Sequence, residues 1–237
     1  MNIFPAIDLY HGQAVRLMKG DYHQITVYDK EPLNTAKIFA EKGAKYLHLV
    51  DLEGAKSGTT PNLATIQRIV EQSSLFVEVG GGIRTMETVK KYLSIGVNRV
   101  ILGTAALTDE AFLCKALDAY GEQVAVGADL RDGVVAINGW TEASTVSGFD
   151  FCSKMERLGV KTIICTDISR DGAMQGTNRA LYAALQQEFN LNLIASGGVS
   201  TLDDVKALAE MGLYGAIIGK AYYTGAIDLA QAIEVAK

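Results

Sequence analysis

Aspartates and paired glycines stand where a chain of this kind could do chemistry. Asp8 and Asp129 each end a short apolar run. Two carboxyl groups on opposite sides of one reacting carbon can divide general-acid and general-base work, provided their surroundings push their pKa values apart. A third carboxylate, Asp171, lies in Asp167-Ile168-Ser169-Arg170-Asp171-Gly172. The competing role is structural: such carboxylates cap helices or pair with Arg84, Arg131 or Arg170. For Asp51 and Asp167 that structural role is the expected one. The glycine pairs Gly81-Gly82 and Gly197-Gly198 also follow apolar runs, and each has a partner further on, Gly103-Thr104 and Gly219-Lys220. Without a Cβ, backbone N–H groups can approach an anion closely, and a following helix adds its positive end. These loops, with Arg84 and Ser200 just behind them, are therefore expected to hold phosphate. Neither is a Walker A loop or a dinucleotide fingerprint, because the spacings differ.

Other chemistries fit less well. No Gly-x-Ser-x-Gly elbow occurs. The histidines, His11, His23 and His48, lack metal-ligand spacing, and His48 is expected to be buried in its strand. Lys19 and Lys220 lie outside strands, where a buried Schiff-base lysine would sit. Cys114, Cys152 and Cys165 are few and unpatterned, which suits reduced, buried thiols in a cytoplasm. No metal and no cofactor is expected, since phosphate clamps of this type need none.

The elements that position these groups are eight strand-like runs, near residues 2–8, 46–51, 75–79, 98–102, 123–129, 161–166, 191–196 and 214–218, alternating with helical stretches. Thr35 to Lys42, stopped by Gly43, and Thr85 to Ser94, stopped before Gly96, are examples of the helices. The chain also repeats itself. Asp51 matches Asp167, Gly81-Gly82 match Gly197-Gly198, Thr85 matches Thr201, Gly96 matches Gly212 and Gly103 matches Gly219, all 116 positions apart. Asp8 and Asp129 pair at a slightly larger offset, which places a small insertion near 127–150. Two four-stranded halves closing on each other make an α/β protein of the (β/α)8 TIM-barrel class, with its working face at the C-terminal strand ends. The 237 residues, 49% hydrophobic with three prolines, suit one barrel domain over residues 1–237. The net charge of −5 argues against a nucleic acid or an acidic membrane as partner, but not against a small anion. The start Met1-Asn2-Ile3-Phe4-Pro5 does not read as a signal peptide, and no apolar run is long enough to span a bilayer.

Several of these stretches resemble a known family. Pro5-Ala6-Ile7-Asp8-Leu9 with His11-Gly12, Ala14-Val15-Arg16-Leu17, Gly20-Asp21-Tyr22, Val50-Asp51-Leu52-Glu53-Gly54-Ala55, Gly80-Gly81-Gly82-Ile83-Arg84, Asn138-Gly139-Trp140 and Thr166-Asp167-Ile168 are similar to the phosphoribosylformimino-5-aminoimidazole carboxamide ribotide isomerases of histidine biosynthesis. The resemblance covers essentially the whole chain. It implies a small-molecule substrate with two phosphate groups, rearranged from aminoaldose to aminoketose without cofactor or metal. It implies Asp8 as general base and either Asp129 or Asp171 as general acid. Thr166 would orient the reacting ribose and Trp140 would stack on the imidazole. Arg16, Lys19 and Gly20-Asp21-Tyr22 would form a closing loop. Family members are commonly monomers. The sister barrel that makes imidazole glycerol phosphate shares the repeat, but it usually begins Cys-Leu-Asp and has a lysine soon after; this chain has Ala6-Ile7-Asp8 and Arg16. The same residues would also allow a side activity on phosphoribosylanthranilate, and a catalytically silent phosphoribosyl sensor would share the two anion loops.

Overall fold

Continuous apolar runs in this chain become parallel strands covered on both faces. The computed structural model describes residues 1–18 and 21–237. Its strands are β1 (Asn2–Tyr10), β2 (Gln13–Met18), β3 (Asp21–Asp29), β4 (Tyr46–Asp51), β5 (Phe76–Gly80), β6 (Arg99–Leu102), β7 (Val124–Arg131), β8 (Val134–Ile137), β9 (Glu142–Ser147), β10 (Thr162–Asp167), β11 (Asn192–Ser196) and β12 (Gly215–Ile218). Eight of them pair in parallel in the order β1-β4-β5-β6-β7-β10-β11-β12, and β12 pairs back onto β1 through Asn2↔Gly215 to Pro5↔Ile218. Closure leaves no barrel edge unpaired. This is a (β/α)8 barrel, and its eight strands fall within about two residues of those expected.

Two antiparallel hairpins were not expected. β2 and β3 fold back from the end of β1, pairing Asp8 with Val15 and Val15 with Val27. β8 and β9 fold back from the end of β7. The stretch expected as a closing loop thus includes parts of β2 and β3; Lys19 and Gly20 lie outside the described residues.

Helices form the outer layer. The one expected over Thr35 to Lys42 spans Pro32–Glu41; Pro32 sits in its first turn, where a missing N–H costs nothing. Met86–Ser94 is capped by the Thr85 side chain, which accepts from the Thr88 N–H, and Leu202–Glu210 by a Thr201–Asp204 capping box. Gly43 and Gly96, at φ +91° and +93°, follow the ends of their helices as predicted. Leu47, Leu49, Val77 and Val79 face this layer and are fully buried. Inside the barrel, Phe4, Ala6, Ile101, Ala125, Ile164, Ile194 and Ile217 form a second apolar cluster. Burying each of its larger members stabilises the fold by about 1.5–3 kcal/mol before entropy is counted. Below them Arg99 stacks on Phe76 and Tyr214, 5.0 and 5.8 Å from the ring centres. No helix among the described residues is long and apolar enough to cross a membrane.

Candidate active site

The C-terminal strand ends surround one cavity. Both glycine-pair loops open into it, as do the three aspartates Asp8, Asp129 and Asp171. Arg16, Arg84, Gly103, Thr104, Trp140, Thr166, Gly219 and Lys220 also line it.

Asp8 sits near the end of β1, beside the hairpin that brings Arg16 over it. Arg16 Nη1 donates to Asp8 Oδ2 at 2.8 Å and Nη2 to the Ala6 carbonyl at 2.9 Å. Burial works against the guanidinium charge, but Asp8, Tyr223 and Asp171 outweigh it and hold Arg16 above its ordinary pKa. Tyr223 lies under the guanidinium, with its ring centre 5.4 Å away.

Asp129 lies across the barrel on β7, in register with Thr166 on β10. Burial raises its pKa; hydrogen bonds from Trp140 and Thr166 and the neighbouring His48 oppose that rise. Trp140 Nε1 donates to Asp129 Oδ2 at 2.8 Å. Trp140 follows Asn138 and Gly139 in the β8–β9 turn, and all three have positive φ. The Asn138 N–H donates to Thr104 Oγ1 at 2.9 Å, which ties this turn to the strand end of β6.

Asp171 occupies the turn after β10, where its N–H bonds the Asp167 carbonyl. Burial pushes its carboxyl up to about 6; Arg16 and Lys220 pull it down, and Asp8 and Asp129 add to the rise. Lys220 Nζ donates to the Gly172 carbonyl at 2.9 Å.

The glycine pairs are needed for a reason the sequence did not suggest. A Cβ on Gly81 would lie 2.2 Å from the Asp51 carbonyl oxygen, and one on Gly82 1.8 Å from that of Gly54. At Gly197 and Gly198 the corresponding oxygens, of Asp167 and Gly176, would be 2.4 Å away. All four have positive φ. Each pair is wedged against the loop after the preceding strand. Asp51 and Asp167 hold those loops, as the structural reading of them expected: Asp51 accepts from Gly54 N and Asn62 Nδ2, both at 2.8 Å, and Asp167 from Ser169 N at 2.9 Å and Asn178 Nδ2 at 2.6 Å.

Ser200 departs from the expectation. It is buried away from the cavity, with its hydroxyl on Asp204 Oδ2 at 3.3 Å and accepting from Gly176 N at 3.2 Å. Arg84, its counterpart in the other half, is exposed and reaches the Ala55 carbonyl at 3.0 Å. Tyr22, from the stretch expected to close over the site, lines the cavity and donates its hydroxyl to the Leu52 carbonyl at 2.9 Å. One ionisable lining residue was missed. His48, expected to be an inert buried residue, lines the cavity and pairs with Glu78 at 2.7 Å. Alternation explains it: Leu47 and Leu49 face the helices, so His48 faces the interior. Among the described residues no cluster of three or more His, Cys, Asp or Glu side chains is arranged to hold a metal ion.

The family described as histidine biosynthesis protein matches residues 2–228, nearly the whole barrel. The chain belongs to the histidine biosynthesis protein family. Members similar to it include proteins named 1-(5-phosphoribosyl)-5-((5-phosphoribosylamino)methylideneamino)imidazole-4-carboxamide isomerase. The one from Oceanobacillus iheyensis is 51% identical over 234 residues, covering 99% of this chain and 98% of its own. The one from Brachyspira hyodysenteriae is 48% identical over 237 residues, with both chains fully covered. The one from Listeria welshimeri is 51% identical over 235 residues, covering 99% and 98%. Within the histidine biosynthesis protein family, the match therefore includes every strand end that lines the cavity.

Proposed function

We propose that this chain is the aldose–ketose isomerase named in its relatives, acting on the imidazole carboxamide substrate with two phosphoribosyl arms. The observation that carries this is the placing of three carboxylates between two glycine-pair loops in one cavity. The loops of Gly81, Gly82, Gly103 and Thr104, with Arg84, take one phosphate; those of Gly197, Gly198 and Gly219, with Lys220, take the other. The imidazole stacks on Trp140. Ser200 supports its loop from behind. No cofactor or metal takes part. Every named group comes from one barrel, which suits a monomer.

Asp171, raised to about 6 by burial, is the general acid. It protonates the ring oxygen of the aminoaldose. The bond from C1 to that oxygen breaks as the amine lone pair forms C1=N. Asp8 removes the C2 proton, and those electrons form the C1=C2 enol. Protonated Asp8 returns its proton to C1, while the C2 hydroxyl proton passes to Asp171, leaving the ketone and restoring both carboxyl groups. Asp129 already accepts from Trp140 and Thr166, so its role is orientation. Arg16 sets a cation against the base and offsets charge in a site where both groups are only slightly exposed. The test is turnover of the bis-phosphorylated aminoaldose by the purified chain, with phosphoribosylanthranilate assayed in parallel. No turnover of the first compound would overturn this reading.

A further inference from the structure

The cavity floor is made of Ala6, Ile101, Gly127, Ile164 and Ile217, with one ionisable side chain, His48, set among them. His48 stands level with Ala6 on β1 and Glu78 on β5, and Glu78 with Arg99 on β6. The four residues form one rung around the barrel wall, below the level of Asp8. Glu78 is fully buried; its Oε1 is 2.7 Å from His48 Nδ1 and its Oε2 3.6 Å from Arg99 Nη1. That Oε2 has no hydrogen-bond partner among the described residues. A buried carboxylate costs stability unless it is paired, and the partners of Glu78 are His48 and Arg99.

We propose that Glu78 and His48 form a positioning pair under the reacting sugar. Glu78 accepts the Nδ1 proton and so fixes the tautomer and the plane of the ring. The opposite edge, carrying Nε2, then points into the cavity that His48 lines and meets a ribose hydroxyl of the bound aminoaldose. The charged groups around the ring are Glu78, Arg99, Asp129 and Asp8. Asp129 is near enough to feel the imidazole, so the ring also supports that carboxylate from below. His48 touches substrate; Glu78 acts through it. Ring opening and C2 deprotonation need the sugar held at a fixed height above the floor, so the contact belongs to the turnover step more than to capture of the phosphates.

This inference rests on the isomerase reading, and the experiment separates the two. Steady-state kinetics on the bis-phosphorylated aminoaldose are measured for the wild-type chain, Asp8→Asn, His48→Gln, His48→Leu, His48→Ala and Glu78→Gln, with thermal midpoints recorded for each. Gln keeps a polar atom near the position of Nε2, and Leu fills the space without one. The expected result is a fall in kcat of about 10–100-fold for His48→Leu with KM within about threefold, a smaller fall for His48→Gln, and a fall for Glu78→Gln no larger than that of His48→Leu. Imidazole added to His48→Ala restores part of its kcat in a saturable way. Equal kcat for His48→Leu and wild type, or equal losses in Leu and Gln with no imidazole rescue, overturns the pair. If the wild-type chain does not turn over this substrate, the isomerase reading itself fails; if Asp8→Asn turns over normally, only the role of Asp8 does.

Discussion

Arg16 Nη1 and Asp8 Oδ2 are 2.8 Å apart, so the group assigned as base is met by a largely buried guanidinium. The same guanidinium lies against Gly219, where a Cβ would come within 2.8 Å of Arg16 Nη2. One side chain therefore touches both the base and a loop assigned to phosphate. Asp8→Asn keeps the shape and can still accept from Arg16, but it cannot take the C2 proton. Turnover is expected to fall roughly 10²–10⁴-fold with substrate affinity largely kept. Unchanged turnover would remove Asp8 from the mechanism.

Asp171 links pH to stability as well as to rate. Its folded value, about 6, lies above the ordinary 3.8, so the folded state binds more protons between those values. The buried carboxyl is therefore compatible with folding at low pH and becomes a liability as pH rises through about 6. Asp171→Asn removes that liability. Its thermal midpoint is expected to exceed that of the wild type at pH 8, by an amount equivalent to at most about 3 kcal/mol, and the gap closes toward pH 4. Turnover by Asp171→Asn is lost at every pH. A midpoint difference independent of pH would contradict the assignment.

The two halves of the mouth can be tested at their glycines. Gly82→Ala places a Cβ 1.8 Å from the Gly54 carbonyl oxygen, on a backbone at φ +72°. The positive φ alone costs about 1–3 kcal/mol, and the clash moves the loop. KM is expected to rise more than tenfold in whatever fraction folds. Gly103→Ala meets no protein atom within 4 Å, so any rise in its KM reads the added methyl against the bound phosphate without movement of the loop.

Ser200 and Arg84 stand at equivalent positions but face different neighbours. Ser200→Ala loses a buried hydrogen bond to Asp204 and is expected to cost about 1 kcal/mol of stability, read by denaturant unfolding, with KM unchanged. Arg84→Ala, at the exposed rim, raises KM and leaves stability within error.

Trp140→Phe keeps an aromatic face and removes the N–H that Asp129 accepts. A lower kcat with nearly constant KM is expected, because the stacking surface remains while a buried carboxylate loses a partner.

The barrel strands were legible because each is covered on both faces and so reads as a short apolar run. The hairpins were not. Gln13–Met18 mixes polar and apolar residues, and in its partner Gln24, Thr26, Val27 and Tyr28 are exposed, so their sequences look like loop. The aspartates and glycines were legible from their places at strand ends and from their recurrence. Ser200 was misplaced because the sequence shows that it follows a glycine pair but not that Asp204 turns its hydroxyl inward. His48 was passed over because two leucines flank it; only the inside–outside alternation of β4 separates it from them. The need for glycine at 81, 82, 197 and 198 was visible, but its source was not, since the oxygens that forbid a Cβ belong to the neighbouring loop.

That wedging has a practical side. Because Gly81 and Gly82 interlock with the chain around Asp51 and Gly54, and Gly197 and Gly198 with that around Asp167 and Gly176, these segments are not independent modules. A graft from another barrel that exchanges one member of an interlocked pair brings a mismatched surface to its mate, whereas a graft carrying both travels with its own fit. Redesign of the mouth therefore has a minimum unit of two consecutive strand-to-helix connections.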